Sequence, residues 1–86
     1  MKISVELTLT PLQDNFEPPI IAFIKKLRAS GLQVLENPLS TQVYGNYDEV
    51  MGLLQSEIRQ SFEQLEHVVL SMRLVKSDRS GYEPHF

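Results

Sequence analysis

From Lys2 to Thr10 the chain alternates without a break: Ile3, Val5, Leu7 and Leu9 point to one side, and Lys2, Ser4, Glu6, Thr8 and Thr10 to the other. A strict period of two in branched and polar residues is a β-strand covered on one face only. Pro11 withdraws a backbone donor and ends the run. Whatever the chain folds into must therefore cover the Val5/Leu7 side and leave Glu6 on a polar sheet face.

The remaining segments supply that cover. Pro18-Pro19 suit the first turn of a helix. Ile20, Phe23, Ile24 and Leu27 then recur at i, i+3, i+4 and i+7, with Lys25, Lys26 and Arg28 gathered at the C-terminal end, where cations complement the helix dipole. Gly31 suits the left-handed residue that closes such a helix. Leu32 to Asn37 and Thr41 to Tyr44 form two short runs joined by Pro38-Leu39-Ser40, too short a link for a parallel crossover, so they predict an antiparallel hairpin. Asn46 with Glu49 gives a capping-box pattern ahead of a second helix carrying Val50, Leu53, Leu54, Ile58, Phe62 and Leu65. Gly52 weakens that helix without breaking it. His67 to Lys76 alternates again, with Val68, Leu70, Met72 and Leu74 against Val69, Ser71, Arg73 and Val75.

The order β-α-β-β-α-β predicts an α+β fold, the ferredoxin-like plait: a four-stranded antiparallel sheet with strands 1 and 3 at its centre and both helices on one face. The helices are expected over Val5/Leu7 and Leu70/Met72. The domain is expected to span residues 1–86, with regular structure over about 2–76 and a loose C-terminal tail over 77–86. With 86 residues and 42% of them hydrophobic, one modest core fits, and a cleft between two domains does not. Without cysteine there is neither a disulfide framework nor a thiolate metal site. No leader-like segment precedes the first strand, and no apolar run approaches about 18 residues, so a cytoplasmic location is expected. A net charge of −3 with scattered basic residues argues against nucleic acid as a partner.

Catalytic patterns are lacking. His67 and His85 stand apart from each other and from any nucleophile, and the glycines Gly31, Gly45, Gly52 and Gly81 are too dispersed for a phosphate-cradling loop. The chain reads as a non-enzyme with no cofactor and no metal. Glu6 is the informative residue, since a carboxylate in mid-strand of a central strand calls for compensation. One account is a cross-strand pair with Arg73, worth about 0.2–1 kcal/mol on an open sheet. The other is a ligand site in which Ser4, Thr8 and Ser71 flank Glu6 and suit a nitrogen heterocycle or a cation. Tyr44 could stack on a flat ring or simply pack, and the Asn37–Thr41 hairpin brings polar groups to the sheet end. The apolar part of the open face, Val69 and Val75, suits packing on a second copy as a dimer or a dimer of dimers.

Several stretches together resemble a known family. Val5-Glu6-Leu7-Thr8-Leu9-Thr10-Pro11-Leu12 is similar to its first strand and closing Pro-Leu. Pro38 and Thr41 match a Pro-x-x-Thr segment after the second strand, and Phe62-Glu63, Val68-Val69, Ser71, Arg73 and Arg79 resemble its second helix and basic last strand. The family is the thiamine-binding, YkoF-like group of small ferredoxin-like proteins, and the resemblance runs over roughly residues 2–79 in the right order. It departs from the pattern at Gln13 and Arg73, where glycine and lysine are common, and in the glycine-free Leu65-Glu66 connection. The resemblance implies a homo-oligomeric binder of thiamine or its hydroxymethylpyrimidine moiety, with sites where sheets meet. It carries over Glu6, Thr8, Thr41 and Ser71 as ligand positions, beside Ser4 and Arg73 from the pattern of the open face. The alternative is an oligomerising or regulatory module without a small-molecule ligand. A cofactor-free oxygenase is a distant third, since no acid–base pair is recognisable.

Overall fold

The elements follow in the predicted order in the computed structural model, which describes residues 1–86: β1 (Lys2–Pro11), α1 (Glu17–Arg28), β2 (Gln33–Glu36), β3 (Thr41–Asn46), α2 (Tyr47–Gln64) and β4 (Val68–Val75). The four-stranded sheet has the order β2-β3-β1-β4, with every neighbouring pair antiparallel. β1 and β3 are therefore central, as expected of a ferredoxin-like plait. No helix is long and apolar enough to cross a membrane.

The alternation of β1 is spent as its pattern requires. Ile3, Val5 and Leu7 are buried with Val43 of β3 against Phe23 and Leu27 of α1 and Val50 and Leu54 of α2. Pro18 and Pro19 occupy the first turn of α1, where a missing N–H costs no helical hydrogen bond. Gly31 takes φ +83° and reverses the chain after α1. Gly45 has a different role: a Cβ there would stand 3.2 Å from both Leu32 Cδ2 and Val50 Cγ2, so the absent side chain is what lets α2 settle on β3.

Two local expectations change. Asn46 has the extended backbone of a helix cap, yet its side chain makes no bond to the helix backbone; it donates to Glu49 Oε1 at 3.3 Å. The Tyr47 N–H instead donates to the Met1 carbonyl at 2.8 Å, so the start of α2 is tied to the start of β1. The second change concerns cover. Leu70 packs on the core, but Met72 and Leu74 remain 46% exposed and Phe62 49%. Both helices lie toward the β2 side of the sheet: α1 packs on β1 and β2, and α2 on β3 and β1. Arg28 Nε and Nη2 hold the Glu36 carboxylate of β2 at 2.5 and 2.6 Å, which anchors the end of α1 there. The outer strand β4 is left with its helix-side face only partly covered.

Candidate functional site

The face without helices is set by register. Glu6 stands between Gln42 of β3 and Arg73 of β4, and Ser4 between Tyr44 and Val75. Thr8 lies opposite Ser71 one step further along. Successive strand residues point to opposite faces, so Ser4, Glu6, Thr8, Gln42, Tyr44, Ser71 and Arg73 all emerge on the open side.

Glu6 and Arg73 are register partners as expected, but no ion pair forms between them. The Glu6 carboxylate turns to the β2–β3 hairpin, where the Ser40 hydroxyl donates to Oε2 at 2.9 Å. Gln42 Nε2 in turn donates to Ser40 Oγ at 2.8 Å, so the amide orients the hydroxyl that orients the carboxylate. The hairpin is held by Asn37, whose Oδ1 accepts from the N–H groups of Leu39 and Ser40 at 2.8 and 3.0 Å. This is the Asx-turn geometry that Asn favours.

The opposite side of the site comes from beyond β4. Ser4 is buried, 7% exposed; its hydroxyl donates to the Ser77 carbonyl at 2.7 Å and accepts from the Arg79 N–H at 2.9 Å. The loop after β4 is thereby folded back against the open face. Asp78 Oδ1 accepts from the Ser80 N–H at 2.9 Å and from its hydroxyl at 2.6 Å, and these bonds, the hydroxyl first, hold the Asp78 carboxyl below the usual carboxylate range. Arg79 sits inside this turn and forms no ion pair.

Together these residues outline an open hollow of about 170 Å³ lined by Ser4, Val5, Glu6, Gln42, Tyr44, Arg73, Val75 and Arg79. A second, of about 190 Å³, adjoins it and shares Glu6 and Arg73, with Thr8, Ser71 and Met72. Of the residues singled out in the sequence, Ser4, Glu6 and Arg73 meet in the first hollow, and Glu6, Thr8, Ser71 and Arg73 in the second. Ser4 reaches the site as a tether, since its hydroxyl both donates and accepts within the chain. Thr41 joins neither of these hollows and meets only Thr8 in a third. It pairs with Leu7 and Glu36, on the helix side of the sheet, and lines a separate hollow with Ile20, Ile24 and Pro38.

Gln42, Ser40 and Arg79 were missed as site residues. Gln42 was legible, because the parity that buries Val43 sends both Gln42 and Tyr44 to the open face. Arg79 was not, since only the bonds to Ser4 place it there. No three His, Asp or Glu side chains converge as metal ligands would. The site offers an oriented carboxylate, an amide, an aromatic ring and two arginines in its lining: hydrogen-bonding and stacking tools for a small polar ring.

Comparison with known proteins gives this geometry a context. The sequence profile of the thiamine-binding protein family matches residues 5–84. No curated protein matches by sequence. Among solved structures, the chain superposes on a proposed thiamine biosynthesis/salvage protein of Thermotoga maritima with TM-score 0.80 at 20% identity, covering 90% of this chain and 85% of that one. A hypothetical protein of Methanocaldococcus jannaschii gives TM-score 0.76 at 19% identity, with 90% and 81% covered. A domain of unknown function from Bacillus cereus gives 0.76 at 13%, with 96% and 83% covered. At such identities the structural likeness speaks for the fold, and the family follows from the profile. That match runs from the middle of β1 through the loop that carries Arg79, and on it the chain belongs to the thiamine-binding protein family.

Proposed function

We propose that this chain binds thiamine or its hydroxymethylpyrimidine moiety, without catalysing a reaction, on the open sheet face of a cytoplasmic homo-oligomer. The observation that carries this reading is the Glu6 carboxylate, fixed by Ser40 at 2.9 Å within a hollow that also holds Gln42 and Tyr44. An aminopyrimidine presents an exocyclic amino donor beside ring-nitrogen acceptors. Glu6 would accept the first, the Gln42 amide would serve the second, and the Tyr44 ring offers a stacking surface. Membership of the thiamine-binding family supports the same ligand class.

A single chain leaves this hollow open to solvent, and a second copy laid over it would enclose the ligand. Partly exposed Val75 and exposed Val69 on the open face favour such packing, while the free edge of β4, with Met72 and Leu74 on its helix side, offers a separate contact for further assembly.

Calorimetric titration and thermal shift with thiamine and hydroxymethylpyrimidine test the reading. Binding to the native state alone should add about 2.7 kcal/mol of stability at a hundredfold excess over Kd. Glu6→Gln should weaken affinity about tenfold while leaving the melting temperature of the free protein nearly unchanged. Absence of any stabilisation at millimolar ligand would remove the proposal.

The exposed apolar strip of Met72 and Leu74 favours a second reading, an assembling module with no ligand. On that reading Glu6→Gln alters the mass measured by light scattering and no ligand shifts the melting temperature.

A further inference from the structure

Charge in the hollow is unevenly placed. Glu6 is drawn toward the hairpin by Ser40, and the two arginines that line the same hollow, Arg73 and Arg79, come from β4 and the loop that follows it. Neither arginine forms an ion pair or a side-chain hydrogen bond with the rest of the chain. The nearest carboxylate in sequence to Arg79, Asp78, is engaged by Ser80. Arg79 is held in place through its backbone bond to buried Ser4, so its position is built and not merely adjacent. Two cationic residues against one carboxylate leave this end of the site short of negative charge.

Resting on the ligand class proposed above, we infer that the ligand carries a phosphate ester: an aminopyrimidine bound at Glu6, Gln42 and Tyr44, with its phosphate between Arg73 and Arg79. Planar guanidinium groups donate two parallel N–H bonds to phosphate oxygens, a geometry that ammonium or hydroxyl groups do not reproduce. The phosphate supplies the negative charge that the β4 side lacks, while the carboxylate still meets the exocyclic amino group. Both arginines line the same hollow as Glu6, Gln42 and Tyr44, so ring and phosphate fall within one site.

The test is calorimetric titration of the intact chain, in one chloride buffer, with thiamine, thiamine monophosphate, hydroxymethylpyrimidine phosphate and inorganic phosphate. Thiamine monophosphate should bind about tenfold more tightly than thiamine, the return expected for one charge-assisted contact. The advantage should shrink as salt rises. Arg73→Gln and Arg79→Gln should each drive the affinity ratio of thiamine monophosphate to thiamine toward unity, whereas Arg73→Lys should keep part of it and Glu6→Gln should weaken both ligands alike. Circular dichroism checks that the variants fold; if Arg73→Gln does not, Arg79→Gln in the loop gives the same readout. Equal affinities for thiamine and thiamine monophosphate, or a preference for thiamine, would overturn the phosphate inference and leave the thiamine reading standing. Inorganic phosphate binding as tightly as the ester would also overturn it, by making the arginines a simple anion site. If none of the ligands binds, both readings fall together.

Discussion

Ser4 shows how much one hydroxyl can organise. Its side chain satisfies a carbonyl and an N–H from the far end of the chain while lying nearly out of solvent. Ser4→Ala should therefore cost about 1–3 kcal/mol in urea unfolding, because two part-buried hydrogen bonds, each worth about 0.5–1.5 kcal/mol, are lost. The same variant should loosen Arg79 and weaken ligand binding without touching Glu6. Gly45 is a second such position. Gly45→Val would press against Leu32 and Val50, which already stand 3.2 Å from where a Cβ would be, and should destabilise by about 1–3 kcal/mol in the same assay. Single residues were unevenly legible. Glu6 announced itself by breaking a rule of strand composition, and strand parity would have placed Gln42 on the open face and Thr41 on the other. The fold-back of Arg79 leaves no periodic trace, because it depends on the two hydrogen bonds of one hydroxyl between segments that are neighbours only after folding.

Among the elements, the tie between α1 and β2 makes a pH-dependent contribution. The Arg28 guanidinium, chiefly by hydrogen bonding, lowers the Glu36 carboxyl below its ordinary value of 4.5. A carboxyl more acidic in the folded than in the unfolded chain stabilises the fold above its unfolded value, and that stabilisation is lost as pH falls below it. Denaturant midpoints should thus decline on acidification below about pH 4.5, and Glu36→Gln should flatten part of that decline. High salt should reduce the effect, since both groups are partly solvated. The order of elements was readable because each segment carries one clear period, two or 3.6 residues. The cover over β4 was not. Periodicity tells which side of Met72 and Phe62 is apolar, but not whether another element reaches it, and buried Phe23, Leu27, Val50 and Leu54 seat the helices over the other strands.

At the scale of the whole molecule, the two edges of the sheet are unequal. β2 is four residues long, whereas β4 has eight and borders the exposed Met72 and Leu74. An edge of that length with apolar flanks is suited to pairing with another strand. Light scattering of the intact protein should give the mass of a dimer or tetramer, and Leu74→Lys should shift it toward the monomer. The tether at Ser4 has a consequence at this scale too. It joins residues 73 and 75 positions apart in the chain, so the arginine it places arrives only once nearly every strand has docked. Terminal segments held by few bonds open more readily than the core. Hydrogen exchange at the Arg79 amide should therefore reveal any fraying of the tail from β1. Ligand affinity would then serve as a gauge of completed folding, sensing in one hollow whether the first and last parts of the chain have found each other.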